Sequence, residues 1–416
     1  MLDGRRVLLV VSGGIAAYKS AILVRRLRRS GARVDVVMTA SAEKMVGVTT
    51  FQALSGRPVL TDLWTEPLAH VELGRAADLA IVAPATANIM AKMANGIADD
   101  MATSTLLAVA CPVMVCPAMN LRMWDHPATR HNVEALVARG VHVVGPEDGE
   151  LAEGEEGPGR MSEPDSIFLA AARVLRQGSP LAGRKVVVTA GPTLAPVDPV
   201  RFLGNRSSGR MGLAMASAAW LRGADVVLIA GPMALEPPHG PRVVRVETSI
   251  EMAEALDREL EGASVLVMAA AVSDFLVPSP SEKKIKRGDQ DVLEVRFEAG
   301  PDLLVSTREQ REKGGVFTLG FALETEDPIG NARKKLEDKG LDLVAVNEAG
   351  RPDRGVEAET NQVTLLDAQG VVEELPLMSK VDVAERLLEY LEKYLSLIHI
   401  SEPTRQYCQS RMPASA

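Results

Sequence analysis

The chain is short of aromatic residues: seven Phe, four Tyr and three Trp make up 3% of its 416 positions. A core this poor in rings has to be built from Ala, Val, Leu, Ile and Met, a palette that suits helices packed closely on a sheet. Cysteine is scarcer still. Cys111, Cys116 and Cys408 do not make a disulfide framework. With no His cluster beside them, Cys111 and Cys116 read as buried thiols rather than metal ligands. No stretch approaches the roughly 18 uninterrupted apolar residues of a membrane span. The opening MLDGRRVLLVVSGG carries only a short apolar run, with no long hydrophobic region ahead of a cleavage site. It reads as a first strand, and the protein as cytoplasmic. A basic excess is also missing. The formal charge of −9 argues against non-specific nucleic-acid binding and leaves small molecules as the expected partners.

What is present points to two α/β domains. The length exceeds that of one ordinary domain, and 46% hydrophobic with 24% charged residues describes a globular chain with ample core. Short Val/Ile/Leu runs recur without polar alternation: RVLLVVSGG (6–14), RVDVVMT (33–39), LAIVAPAT (79–86), VMVCPAMN (113–120) and VHVVGP (141–146). Such runs fit parallel strands buried on both faces. Between the first two, AAYKSAILVRRLRRSG sets Ile22, Leu23 and Leu27 on one helical face, with Gly31 as the stop. The pattern restarts at SPLAGRKVVVTAGPT (179–193) and continues through ADVVLIAGP, ASVLVMAAAVSDF, GVFTLGFALET and LDLVAVNE. We therefore expect a doubly wound first domain over 1–178 and a second Rossmann-like α/β domain over 179–394. The last 22 residues look foreign, since LSLIHISEPTR resembles a translated sequencing adapter. They are set apart as a non-native tail, 395–416.

In an open α/β sheet, ligands bind beyond the carboxyl ends of strands, beside helix N-termini. Ser12, Gly13 and Gly14 occupy such a place, where glycines admit a phosphate to the backbone. The turn is neither G-x-G-x-x-G nor a P-loop, so a purely structural turn is the alternative. PATAN (84–88) and PAMNLRM (117–123) sit at two further strand ends, and Asn120 offers a neutral group able to hold a carboxylate. His70 lies in a helix-like segment, AHVELG. LAEGEEGPGRM (151–161) has the composition of a solvated linker or of a loop that closes over a site. The better linker is VLRQGSPLAGR (174–184), which favours the second reading.

Taken together, SGGIAAYK, HVEL, APATAN, PAMNLRM and GPGRM resemble flavin-dependent phosphopantothenoylcysteine decarboxylases. TAGPT, DPVRFLGNRSSGRMG, AAAVSDF, KIKR, GFALET and LDLVAVN resemble phosphopantothenate–cysteine ligases. The resemblance spans residues 4–394 in the order of the bacterial bifunctional fusion of coenzyme A biosynthesis. It implies a flavodoxin-like first domain holding FMN, with the phosphate at Ser12, Gly13 and Gly14. Thr39, Ala85, Thr86, Asn88, Ser104 and Met119 would be further contacts. His70 would assist proton removal and Asn120 would bind the carboxylate that is lost.

For the second domain the resemblance implies CTP and Mg2+. A carboxylate would attack the α-phosphate to give an acyl-cytidylate, and the cysteine amine would then displace CMP. Asn205 matches the position that meets the acyl-cytidylate, and Lys284 the first lysine of a KxKK motif. Ala270, Ala271, Asp274, Gly300, Pro301, Asp302, Leu303, Phe321, Lys335 and Lys339 match positions that line the nucleotide. Asp274 is also the candidate Mg2+ contact. Lys335 and Lys339, spaced i, i+4, equally suit one solvated helix face.

Three positions depart from the pattern. Arg287 ends the KxKK motif, Ala195 replaces an acidic residue, and Glu153 stands where a flap cysteine usually donates a proton. Glu153 is either a replacement acid, its pKa raised by burial, or a solvated bystander. Alternatives to the bifunctional enzyme are a ligase whose flavin domain stalls and a flavodoxin-like regulatory protein. The resemblance further implies trimeric flavin domains and dimeric ligase domains, hence a dodecamer.

Overall fold

The structure is a computed structural model that describes residues 2–150, 154–176, 178–286, 292–324, 327–348 and 358–401. It forms two compact units, Met1–Gln177 and Gly178–Ala416.

In the first unit the apolar runs become β1 (Arg6–Val11), β2 (Arg33–Met38), β3 (Val59–Leu60), β4 (Leu79–Ala85), β5 (Val113–Pro117) and β6 (His142–Val143). All pair in parallel, in the order β3-β2-β1-β4-β5-β6. Without the two-residue β3, this is the flavodoxin-like order. The strands are buried along their length, as runs without alternation require. The early helices are α1 (Ala17–Arg29), α2 (Ala40–Glu43), α3 (Val48–Ser55), α4 (Ala69–Ala76) and α5 (Ala87–Asn95). They are followed by α6 (Met101–Ala108), α7 (Leu121–Asp125), α8 (Pro127–Ala138) and α9 (Pro164–Leu175). On α1 the buried stripe is Ser20, Leu23, Val24 and Leu27, spaced 3 to 4 apart. Ile22 falls off that stripe and is 51% exposed, contrary to its expected place. β7 (Glu147–Glu150) and β8 (Glu156–Arg160) pair antiparallel, which puts GPGR in a strand.

The second unit repeats the plan. Its parallel strands are β9 (Lys185–Ala190), β12 (Asp225–Ala230), β13 (Arg242–Arg245), β14 (Ala263–Met268), β17 (Phe317–Glu324) and β18 (Leu343–Glu348). Short pairs join β10 (Leu194–Pro196) to β11 (Phe202–Gly204), and β15 (Phe275–Leu276) to β16 (Glu298–Ala299). A third pair joins β19 (Thr360–Asn361) to β22 (Met378–Ser379). An antiparallel pair, β20 (Val363–Asp367) and β21 (Gly370–Glu374), extends the main sheet to β13-β12-β9-β14-β17-β18-β20-β21. Its helices are α10 (Arg210–Leu221), α11 (Ser249–Glu259), α12 (Leu303–Ser306), α13 (Arg308–Gly314), α14 (Pro328–Lys339) and α15 (Lys380–Ser401). The boundary expected at residue 395 falls inside α15, and Leu395 is buried in the core. Residues 402–416, including Cys408, lie outside the described residues. No helix among the described residues is long and apolar enough to cross a membrane.

One buried cation ties several of these elements together. Arg311 is 2% exposed. Its Nη1 donates to Thr318 Oγ1 (2.9 Å) and Gly340 O (2.8 Å). Its Nη2 donates to Leu304 O (2.7 Å) and Lys339 O (2.8 Å). The planar fork thus closes the C-terminal end of α14 onto α12 and β17. Lysine has no such fork. We expect Arg311→Lys to cost about 3 kcal/mol through stranded carbonyls, read as a lower urea midpoint for the second unit. An unchanged midpoint would show that the network contributes nothing to stability.

Candidate functional site

In the first unit the strand order reverses between β1 and β4, and the crevice beyond their carboxyl ends is where a ligand is expected. Ser12 follows β1, and its Oγ donates to Pro84 O (2.7 Å) while accepting from Thr86 N (3.2 Å). The two strand ends are therefore locked together. Gly13 is demanded by packing as well as by any ligand, because a Cβ there would run into Ser41. Gly14 is different: its added Cβ would meet Pro84 at an ordinary 3.4 Å.

Two adjoining cavities open here, sharing Gly13, Thr86, Ala87 and Met123. The smaller, about 340 Å³, is lined by the hydroxyls of Ser12, Thr39, Ser41, Thr86 and Thr103, with Asn88 and Lys92. The larger, about 630 Å³, has apolar walls from Ile15, Met119, Met123 and Met161, with Lys19, Asn120 and Arg160 at its polar points. Asn120 caps α7, its Oδ1 accepting from Arg122 N (2.8 Å). That fixes its NH2 group outward, 3.5 Å from Glu155 Oε2.

Glu155 lies in the connection from β7 to β8, beside the larger cavity. The hairpin is anchored below it: Met119 N–H donates to Gly159 O (3.0 Å). Lys19, 5% exposed, donates to Met161 O (3.0 Å) and Glu163 Oε1 (2.9 Å). The Lys19 ammonium, with Arg160, holds the Glu163 carboxyl below its ordinary range.

The sequence candidates divide accordingly. Ser12, Gly13, Gly14, Thr39, Thr86, Asn88, Met119 and Asn120 line one or both cavities. Ala85 is buried in β4 behind them, and Ser104 stands in α6 one position beyond Thr103, off both walls. His70 lies on α4 and lines neither cavity of its own chain; its Nδ1 is buried with no partner among the described residues. Glu153 lies outside the described residues. Cys116 is fully buried, which pushes its thiol far up, and Cys111 is half-buried.

The second unit reverses order between β9 and β14, and a cavity of about 690 Å³ opens there. Thr189 Oγ1 accepts from both Ala269 N and Ala270 N (3.1 Å each), holding the backbone beyond β14 in place. Asn205, Ala270, Ala271, Asp274, Asp302, Leu303, Phe321 and Lys335 line this cavity. Asn205 Nδ2 donates to Val272 O (2.7 Å) and Lys335 Nζ to Phe321 O (2.7 Å), so Lys335 turns inward rather than to solvent.

The remaining candidates stand off the wall. Gly300 N–H donates to Asp274 O (2.8 Å), placing Gly300 and Pro301 behind Asp274. Lys339 pairs with Asp302 (3.0 Å), and Asp302 also caps α12. Burial opposes ionisation of Asp302, but Lys339 and the α12 amides outweigh it and lower its pKa. Lys284 is exposed beyond the rim, and Arg287 lies outside the described residues. Among the described residues no three His, Cys, Asp or Glu side chains converge as a metal site.

Sequence reasoning missed seven charged groups on these walls: Lys19, Lys92, Asp100 and Arg160 in the first unit, and Arg206, Arg210 and Lys380 in the second. Lys19, Arg160, Arg206 and Arg210 sit inside motifs read for their neighbours. Lys92, Asp100 and Lys380 lie outside those motifs.

Residues 1–175 match the family described as Flavoprotein, and residues 181–395 that described as DNA/pantothenate metabolism flavoprotein C-terminal domain. The coenzyme A biosynthesis bifunctional protein of Bacillus subtilis is 42% identical over 396 residues, covering 94% of this chain and 97% of that one. The Mycobacterium tuberculosis protein of the same description is 43% identical over 415 residues, covering 95% and 99%. That of Vibrio vulnificus is 40% identical over 397 residues, covering 94% and 98%. With two switch-point cavities and likeness along nearly its whole length, this chain belongs to the family of bifunctional coenzyme A biosynthesis proteins.

Proposed function

We propose that the second unit joins cysteine to 4'-phosphopantothenate at the expense of CTP, and that the first unit decarboxylates the product to 4'-phosphopantetheine. The observation that carries this reading is the contrast between the two linings. One crevice joins a hydroxyl-rich cavity, with Lys92 and Asp100 on its wall, to one with apolar walls and Lys19 and Arg160 at its polar points; the other presents Arg206, Arg210, Lys335 and Lys380 against two carboxylates, Asp274 and Asp302.

FMN fits the first pair of cavities. Ser12, Thr39, Thr86 and Asn88 would hold its phosphate, with Gly14 giving backbone access, and Ile15, Met119 and Met123 would flank the ring. When bound, FMN supplies the redox equivalents that make the substrate thiol a transient electron sink for carboxylate loss. The protein's part is positioning and proton transfer. Asn120 donates to the departing carboxylate through the NH2 group that its cap leaves free. His70 takes up a proton, acting on a neighbouring copy's cavity since it lines neither of its own. Glu153 would supply the proton that reduction of the enethiol left by carboxylate loss requires. These assignments call for the implied trimer of first units, and with dimeric second units for a dodecamer.

In the second unit the cationic wall suits a nucleoside triphosphate. Asn205 and Lys284 would meet the acyl-cytidylate and its developing charge. Mg2+ would bind chiefly through nucleotide phosphates, with Asp274 as its protein contact, because Asp302 already serves Lys339 and α12.

Lys284 depends on a buried anchor. Asp198 accepts from Val200 N (2.8 Å), Arg201 N (2.8 Å), Arg201 Nη1 (2.7 Å) and Ile285 N (3.1 Å). Burial pushes its carboxyl up, but these donors prevail and bring it to about 2. An unfolded Asp titrates near about 3.9. The anchor is therefore complete above about pH 4 and is lost as the pH falls toward 2.

Four outcomes test this reading. Incubated with CTP, Mg2+, 4'-phosphopantothenate and cysteine, the enzyme should release CMP and pyrophosphate and form 4'-phosphopantetheine, followed by mass spectrometry. Untouched CTP would end the ligase assignment. Wild-type rates of 4'-phosphopantetheine formation in Glu153→Gln would remove Glu153 as donor. Gly14→Ala should keep the melting temperature while lowering flavin absorbance per chain, whereas Gly13→Ala should lower both. Equal flavin content in Gly14→Ala would show that no ligand approaches that backbone. Asp198→Asn should slow CMP release about tenfold, as loss of a charged hydrogen-bond acceptor implies. Decarboxylation of supplied 4'-phosphopantothenoylcysteine should be unaffected, and equal loss of both activities would refute a local anchor.

A further inference from the structure

Two asparagines from different strands meet on the wall of the second unit's cavity. Asn347 stands near the end of β18, and Asn361 on β19, which pairs with β22 just ahead of α15. Asn361 is 1% exposed, so its polar atoms need partners within the protein. Its Oδ1 accepts from Gln362 N (3.1 Å), and its Nδ2 donates to Asn347 Oδ1 (3.0 Å). A backbone N–H only donates, which fixes the oxygen end of the Asn361 amide. The NH2 end also only donates, so the atom it meets on Asn347 has to be oxygen. One backbone group thereby sets both amides.

The consequence is a free donor on Asn347. Its side chain is half-buried, and its NH2 group has no partner among the described residues. Its backbone is held on both sides, in register with Leu323 of β17 and Val363 of β20. Elsewhere this wall supplies charge: Arg206, Arg210, Lys335 and Lys380 suit anionic groups, and Asp274 and Asp302 suit cationic ones. An uncharged amide that is kept from turning offers something different. It rewards an oxygen lone pair at one place, and a ligand lacking that oxygen leaves the donor unpaired.

We propose that Asn347 is a further substrate-binding residue of the ligation reaction, donating through its NH2 group to an uncharged oxygen, and that Asn361 is the residue that positions it. The inference rests on the ligase reading above. Two substrates carry such an oxygen: CTP on its sugar and base, and 4'-phosphopantothenate at its hydroxyl and amide. Cysteine does not, since its only oxygens belong to a carboxylate. Asn361 acts without touching the substrate, by keeping the oxygen of Asn347 turned away from the cavity.

The test compares full-length wild type with Asn347→Ala, Asn361→Leu and the double variant. Isothermal titration with CTP, with 4'-phosphopantothenate and with inorganic tripolyphosphate gives the affinities, and CMP release is measured with each substrate varied in turn. Asn347→Ala should weaken one of the two substrates about fivefold, the usual weight of a neutral hydrogen bond. Its KM should rise to match, while the KM of cysteine and the affinity for tripolyphosphate, which offers only phosphate oxygens, stay as they were. A loss for CTP assigns the donor to the nucleotide; a loss for 4'-phosphopantothenate assigns it to that substrate. Asn361→Leu should weaken the same substrate by less, because an amide free to turn still presents its NH2 group part of the time. In the double variant it should add nothing to Asn347→Ala, since it acts through that residue. Additive losses would remove Asn361 as the positioning residue. Unchanged affinities and KM values in Asn347→Ala overturn the proposal, and so does an equal loss for tripolyphosphate. Should Asn361→Leu melt earlier than wild type, Asn347→Asp decides against the tripolyphosphate control, because it keeps the oxygen that Asn361 needs and loses only the NH2 group. Wild-type protein that binds both substrates but releases no CMP would refute the ligase reading and leave the donor to stand or fall on the affinities.

Discussion

A parallel sheet whose order reverses beside its first strand cannot close its own surface. The connections on either side of the reversal leave in opposite directions, and the carboxyl ends of the two central strands are left uncovered. Both units here are built on that constraint, between β1 and β4 in the first and between β9 and β14 in the second. Each gap is bridged by a hydroxyl next to or within the first strand, Ser12 to Thr86 and Thr189 to Ala269 and Ala270. These bonds hold the crevice open at a fixed width and tie its two lips together. Everything that lines the cavities reaches them from a strand end or a helix start gathered there.

The same scaffold carries opposite chemistry because the linings differ. In the first unit the cations on the walls have carboxylate partners: Lys19 and Arg160 bond Glu163, and Lys92 meets Asp99 and Asp100. Hydroxyls can then satisfy a phosphate while methionines accept a flat apolar ring. In the second unit cations outnumber carboxylates on the wall, although the whole chain carries a formal charge of −9. Net charge thus excluded a non-specific polyanion surface without excluding a local anion site. Low-polarity walls make such local charge count for more than the exposed charge that sets the total.

How much was legible follows from where the determinants lie. The central strands were readable because burial on both faces demands unbroken apolar runs, and β9, β12, β14, β17 and β18 appear where such runs occur. Ile22 was misplaced because neighbouring helix positions are about 100° apart, and Leu23 with Val24 claims the buried side. The hairpin was not readable. EDGE and EGPGR have little strand propensity, and their pairing is supported by Met119 and by the base held at Lys19. α15 runs to Ser401, past the start of the segment set apart as foreign, and Leu395 lies on its buried side. Lys380 was invisible because only the fold sets it on the same wall as Arg210.

The pairing of β7 with β8 is tied down at one end only. The ties of β8 lie at its far end and beyond: Gly159 to Met119, Met161 and Glu163 to Lys19, Arg160 to Glu163. The connection between the strands carries no such tie apart from Glu155, which meets Asn120 at 3.5 Å among the described residues. A carboxyl brought there faces Asn120 NH2, whose partner oxygen is already committed to α7. Glu155 therefore meets the same Asn120 NH2 group that is proposed to hold the substrate carboxylate.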